Sequence, residues 1–137
     1  MSIEEKIKDY LVSVNAQFPE ITSIETGYSV PKDKPMYCRV NSEDPEIIGA
    51  GAAAMQPVKQ NTVITVFGKI TRDDNQDTVR GNVQAASKKV QKALMGNFLN
   101  SFLCAGLSII SIEEAFSIME KDSIFFSNIK VEGKYFQ

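Results

Sequence analysis

Residues 62 to 70 read Thr-Val-Ile-Thr-Val-Phe-Gly-Lys-Ile, a run dense in β-branched side chains. Such side chains are restricted at χ1 in a helix and pack well on a pleated surface, so the run predicts a strand. Its apolar residues fall on both faces, which places it centrally in a sheet. A central strand needs a hydrogen-bonded neighbour on each side, so the flanking segments have to supply further strands.

Upstream, Ile3, Ile7, Tyr10 or Leu11, and Val14 recur at helical spacing. Ser2 with Glu5 forms a capping-box pattern, and together these predict a helix from Ile3 to Ala16, ended by Pro19. Ile21, Ile24, Tyr28 and Val30 in a Thr- and Ser-rich stretch predict a strand near Glu20 to Val30, with Gly27 as a bulge or bend. The polar turn Pro31-Lys32-Asp33-Lys34-Pro35 leads to a second strand, in which Met36, Cys38 and Val40 alternate with Tyr37 and Arg39. These two strands are expected to form a hairpin. From Asn41 to Gln60, two prolines, two glycines and the small-residue run around Ala50 to Ala54 predict a long excursion of little regular structure. Loops of that length are uncommon without a purpose.

Downstream, Arg72 to Asp77 is a polar turn, and Asp77 is the expected cap of a second helix. Val79, Val83, Ala86, Val90 and Leu94 make its apolar stripe, and it should end near Gly96. Leu107 to Met119 and Ser123 to Phe136 predict two further strands joined at Glu120-Lys121-Asp122. The expected fold is α+β over a single domain, residues 1–137. It has an antiparallel or mixed sheet of about five strands in the order α-β-β-β-α-β-β, and two helices packed on one face.

Composition narrows the chemistry. With 43% hydrophobic and 23% charged residues the chain is ordinary for a globular domain, and its length suits one real core. No apolar run approaches the roughly 18 to 20 residues a bilayer crossing needs. The charged start from Met1 to Tyr10 is unlike a signal peptide, so no membrane partner is expected. Cys38 and Cys104 fit reduced thiols in a cytoplasmic setting, with a single bridge between them as the other option. The formal net charge of −2 calls for no nucleic acid, and there is no histidine, the usual general base and the commonest metal ligand.

Two motif look-alikes fail on context. Gly49-Ala50-Gly51-Ala52-Ala53-Ala54 matches a dinucleotide fingerprint, but only Ile47 and Ile48 could form the preceding strand and Pro57 would break the following helix. Asp73, Asn75 and Asp77 match the first ligands of a calcium loop, yet Thr78 replaces the turn glycine and Gln84 the closing glutamate. Cys104 among Phe102, Leu103 and Leu107 reads as a small buried hydrophobe and not a reactive thiolate. Glu113 and Glu114 are adjacent in a strand, point to opposite faces and make a poor acid/base pair. No catalytic residue, cofactor site or metal site is expected, and the chain is expected not to be an enzyme. Arg80, Lys88, Lys89 and Lys92 make one side of the second helix basic, a surface for phosphate or an acidic neighbour set against the plain reading of a solvated helix face.

The layout resembles the tail terminator, or tail completion, proteins of tailed bacteriophages. The resemblance covers the N-terminal amphipathic helix, the Ile21-to-Val40 pair, the strand Val63-Ile64-Thr65-Val66-Phe67-Gly68, the helix around Val83-Gln84-Ala85-Ala86, and the closing strand Ile129-Lys130-Val131-Glu132-Gly133-Lys134-Tyr135. It implies a homo-oligomeric ring, often of six copies, in the tail or neck of a virion assembled in the host cytoplasm. Its partners would be the tail-tube protein, the head-side connector or neck protein, and DNA in the channel through non-specific contact. In that setting Asp44, Ile47, Ile48, Gly49, Gly51 and Met55 are candidates for a contact arm. The basic helix is a candidate to face the DNA channel or an acidic neighbour. The competing readings are another head–tail connector or tail-tube subunit, and a small-ligand-binding α+β domain.

Overall fold

The computed structural model describes residues 2–29, 31, 35–49, 55–71, 74–119 and 122–137. Helix α1 spans Ile3–Ser13, and Ser2 caps it by accepting the Glu5 N–H on its hydroxyl at 3.3 Å. Ile3, Ile7 and Leu11 form the buried stripe, with Tyr10 and Val14 packed at its margin. The helix stops three residues before the expected Ala16, and a single 3₁₀ turn, Asn15–Gln17, follows. Asn15 secures the reversal, its amide donating to the carbonyls of Phe18 and Ile21 at 3.3 and 3.1 Å.

Five strands run in the order β1-β2-β4-β6-β5: β1 Ile24–Thr26, β2 Met36–Ser42, β4 Pro57–Ile70, β5 Ala105–Met119 and β6 Asp122–Phe136. A two-residue strand, β3 (Glu46–Ile47), also pairs with β4, which makes six strands among the described residues. The sheet is mixed, because β1 lies parallel to β2 while every other pair is antiparallel. The α+β class and the central strand at residues 62–70 therefore stand as expected, with β4 between β2 and β6.

The expected hairpin between the first two strands is corrected. Ile24 pairs with Cys38 and Thr26 with Val40, so both strands run the same way. Parallel neighbours usually need a crossover of about a dozen residues or more. Here residues 27–35 join the two strands. Gly27, at φ +90°, turns the chain out of the sheet, the described residues 27–29 and 31 lie against side chains of β2 and β4, and Lys69 N–H meets the Pro35 carbonyl at 2.9 Å.

The long excursion shrinks as well. Asn41 and Ser42 continue β2 against Val63 and Thr62, Glu43 N–H bonds the Asn61 carbonyl, and β3 follows along the same flank of β4. Pro57 opens β4, the strand position where a missing N–H costs least. Residues 48, 49, 55 and 56 are outside strands, and 50–54 lie outside the described residues. So does most of the small-residue run, with Gly51.

Helix α2 spans Gln76–Leu94. Its cap is Asn75, not the expected Asp77: the Asn75 side-chain oxygen accepts the N–H groups of Asp77 and Thr78 at 2.8 and 3.3 Å. Asp77 sits instead in the first turn, where its charge complements the helix dipole. Both helices cover the same sheet face. Gly68 faces Val79 and Val83 of α2, and Gly133 faces Ile3 of α1. In the β4–β6 ladder these glycines share a face with Ile64, Val66, Ile129 and Val131, all fully buried. Below α2, Gly96 at φ +73° opens a turn in which Leu99, Asn100 and Ser101 all have positive φ (50°, 55° and 67°).

Candidate functional site

The sheet face away from the helices carries no helix among the described residues. Its residues alternate with the core set: Tyr37, Arg39 and Asn41 from β2, Thr65, Phe67 and Lys69 from β4, Phe126 and Asn128 from β6. The rings of Tyr37 and Phe67 stack, and Phe126 follows at 6.1 Å, so an aromatic row crosses three strands. Thr65 donates to the Asn128 side-chain oxygen at 2.7 Å beside it.

Above this row lies the returning segment, of which residues 27–29 and 31 are described. Three side chains rooted in the sheet hold it by its carbonyls. Asn41 donates to Gly27 O at 2.9 Å, Arg39 Nε to Ser29 O at 2.6 Å, and Lys69 Nζ to Pro31 O. Arg39 is 3% exposed, donates also to Cys38 O and to the Ser23 hydroxyl, and lies 5.0 Å from the Tyr37 ring centre. Among the described residues neither Arg39 nor Lys69 meets a carboxylate. Burial raises the Tyr37 hydroxyl above its ordinary value, with Arg39 opposing, and that hydroxyl has no hydrogen-bond partner among the described residues. Between strap and sheet a groove of about 240 Å³ opens beside Phe67, Phe126 and Asn128, with Tyr28, 85% exposed, at its rim.

In the sequence Tyr37 and Arg39 alternate with the apolar set and match no site motif. The usable signal was an aromatic residue on the polar side of two separate strands, Tyr37 and Phe67, with a cation at the next outward position on each.

The expected contact arm is exposed as described: Asp44, Ile47, Ile48, Gly49 and Met55 all face solvent. Phe136 joins them, because it pairs with Pro57 where β4 begins. Gly51 lies outside the described residues. Ile47 and Ile48 are held in the sheet by β3 and by an Ile48 N–H bond to Pro57 O at 3.1 Å, so this part of the arm is an extension of the sheet. The basic residues Arg80, Lys88, Lys89 and Lys92 are all exposed on α2. Lys89 pairs with Glu20 at 3.0 Å, while Lys88 and Lys92 lie opposite the buried stripe and point away from the sheet. No hydrogen bond or ion pair among the described residues joins arm and basic helix.

At the opposite edge, β5 pairs among the described residues only with β6 and is broken by register shifts between Ala105 and Ser108 and between Ile109 and Ser111. Glu113 and Glu114 do point to opposite faces, opposite Asn128 and Ser127. Gln84 of α2 donates to Glu114 at 2.7 Å. Ile112 and Phe116, on the same face as Glu114, are 44% and 50% exposed. A separate polar cleft of about 460 Å³ lies between Lys6, Asp9 and Tyr10 of α1 and Asn97 and Asn100 of the left-handed turn.

The two cysteines are free, Cys38 buried and Cys104 exposed, so Cys104 is not the buried small hydrophobe expected from its neighbours. Burial pushes the Cys38 thiol up to about 12, with Arg39 opposing, so it stays protonated at neutral pH. Cys104 donates to the Lys134 carbonyl at 3.2 Å.

No family model matches the chain, and no curated protein sequence matches it. Among solved structures, a chain in the virion of a native gene transfer agent (GTA) particle shares the fold with a TM-score of 0.57 at 14% identity. The match covers 97% of this chain and 95% of that one.

Proposed function

We propose that this protein is a structural subunit of a virion, forming a ring that caps the tail tube, stops its polymerisation and joins it to the head-side connector. The observation that carries this reading is the fold shared with a chain of the gene transfer agent virion over nearly the full length of both chains. A two-layer fold hosts many functions, so the surfaces have to support the role as well. They do so through their placement. Exposed apolar groups sit on β3 and the adjoining end of β6, and again on the β5 edge across the sheet. Two unlike patches on opposite sides of a subunit are what a head-to-tail ring requires, whereas a two-fold dimer uses one patch twice.

The finite ring is tested by native mass spectrometry and negative-stain imaging of the purified chain, alone and with tail-tube subunits. A closed ring of fixed copy number that binds tube ends supports the terminator reading. Open tubes of this chain alone would point to a tube subunit and overturn it.

A further inference from the structure

Resting on the ring reading, we infer that the strap groove on the open sheet face receives the Ile112-Glu114-Phe116 stripe of a second copy of this chain. The groove, at about 240 Å³, falls below the roughly 300–1,000 Å³ of small-molecule sites, and its size suits one or two side chains. Its floor is aromatic, from Phe67 and Phe126, with Tyr28 as a rim wall and Asn128 as a polar end. Arg39 and Lys69 bring two cations beside it, both held by backbone carbonyls and neither neutralised by a carboxylate among the described residues. An occupant with apolar groups flanking an acid would complement both properties.

This chain displays such a segment. Along β5 the side chains of Ile112, Glu114 and Phe116 share one face, opposite Ile129, Ser127 and Phe125. The two apolar members are half exposed although Phe116 rests on the Phe125 ring at 5.0 Å. The stripe lies on the edge strand, so another subunit can reach it without displacing a neighbour. Seating it places Phe116 against the Phe67 and Phe126 rings and Glu114 at the groove mouth. Arg39 is too buried for face-to-face pairing, so Glu114 meets its field there and not its guanidinium. Groove and stripe lie on different faces and toward different edges of one sheet, so the contact is head-to-tail and propagates until it closes.

Disulfide trapping tests the contact. In a Cys104→Ser background, Tyr28→Cys and Phe116→Cys are combined in one chain, and mild oxidation is read on non-reducing gels. The expected result is a ladder that ends at the copy number of the ring, whereas a mixture of the two single variants stops at the mixed dimer. Glu114→Cys serves as a second handle where Phe116→Cys lowers the melting temperature. Glu114→Arg should weaken self-association about tenfold or more without shifting the far-ultraviolet spectrum. A ring seen by native mass spectrometry with no 28–116 or 28–114 link would overturn this contact and leave the ring reading standing. Links only between two copies of residue 116, or of residue 28 only to another virion protein, would overturn it as well. A strictly monomeric chain at every concentration would remove both.

Discussion

Tyr37 and Phe67 stand directly opposite each other in the β2–β4 ladder, and their rings stack with centroids 4.7 Å apart and 8° between planes. A cross-strand aromatic pair is usually worth a fraction of a kcal/mol to about 1 kcal/mol on an open sheet. This pair is more consequential because the strap covers it: Tyr37 is fully buried on the face that has no helix. The strap thus gives the polar side of the sheet a small second core.

Tyr37→Phe keeps the stack and removes a buried hydroxyl without a hydrogen-bond partner among the described residues. The variant should be as stable as the parent or more stable by about 1 kcal/mol, since a buried unsatisfied group carries its desolvation cost with no return. Tyr37→Ala should cost about 3–5 kcal/mol, as for other buried aromatic truncations. Urea unfolding of both variants checks this pair of opposite signs.

Three glycines should rank by what their added methyl would strike. At Gly106 a Cβ meets the Gly96 backbone, with its carbonyl carbon at 2.7 Å, and backbone cannot swing aside. At Gly68 it meets Val83 and Val79, β-branched residues on a helix with little rotamer freedom. At Gly133 it meets the mobile ends of Ile3 at 2.7 Å and Leu103 at 3.1 Å. Alanine should therefore cost most at 106, at or above the usual overpacking range of about 1–3 kcal/mol, and least at 133. Thermal melts of the three variants give the order.

Of the two thiols, one should react in the folded protein. Cys104 is exposed, whereas Cys38 is buried with its thiol pushed up to about 12. At pH 8 a thiol reagent should label one cysteine promptly and the second only on unfolding, with Cys104→Ser abolishing the fast phase. Mass spectrometry of the labelled peptide identifies the site.

Lys130 donates a hydrogen bond to Glu43 at 2.9 Å and holds its carboxyl below the ordinary value of 4.5. A carboxyl lowered on folding stabilises the native state above its unfolded value, and the contribution is lost as pH falls through the folded value. The stability gap between the parent and Glu43→Gln should thus be level at neutral pH and close as pH drops below about 4.5. Melting temperatures across pH 3 to 7 test the sign. The pair is largely solvated, so the gap itself should be small.

Much of this architecture was legible because the core residues obey simple periods. Ile3, Ile7 and Leu11 at helical spacing, Val83, Ala86, Val90 and Leu94 likewise, and the β-branched run at residues 62–70 all appear where the pattern puts them. The failures occurred where long-range pairing decided the outcome. The apolar pattern of Glu20–Val40 does not reveal that β1 runs parallel to β2, because two of the three side chains that hold the strap by its carbonyls, Asn41 and Lys69, lie outside that stretch. Asn41 to Gln60 resembled a loop because Pro45 and the glycines mask a continuing edge along β4. Asn75 and Asp77 are both good helix caps, and only the position of the first helical turn separates them. The groove was invisible for the same reason as the strap: its parts come from three strands and a crossover.

β4 pairs with β6 along its whole length, Ile64 against Ile129, nearly half the chain apart, and β4 is the middle of the sheet. During synthesis α1, β1, β2, β4, α2 and β5 all emerge before β6, so the edge of β4 that β6 pairs with stays open until then. The aromatic row and the β5 stripe are then assembled by one late event, since β6 supplies Phe126 to the first and the backing for the second. A chain still lacking β6 therefore holds neither the complete aromatic row nor a backed β5 stripe, and both faces of the sheet are finished in the same closing step.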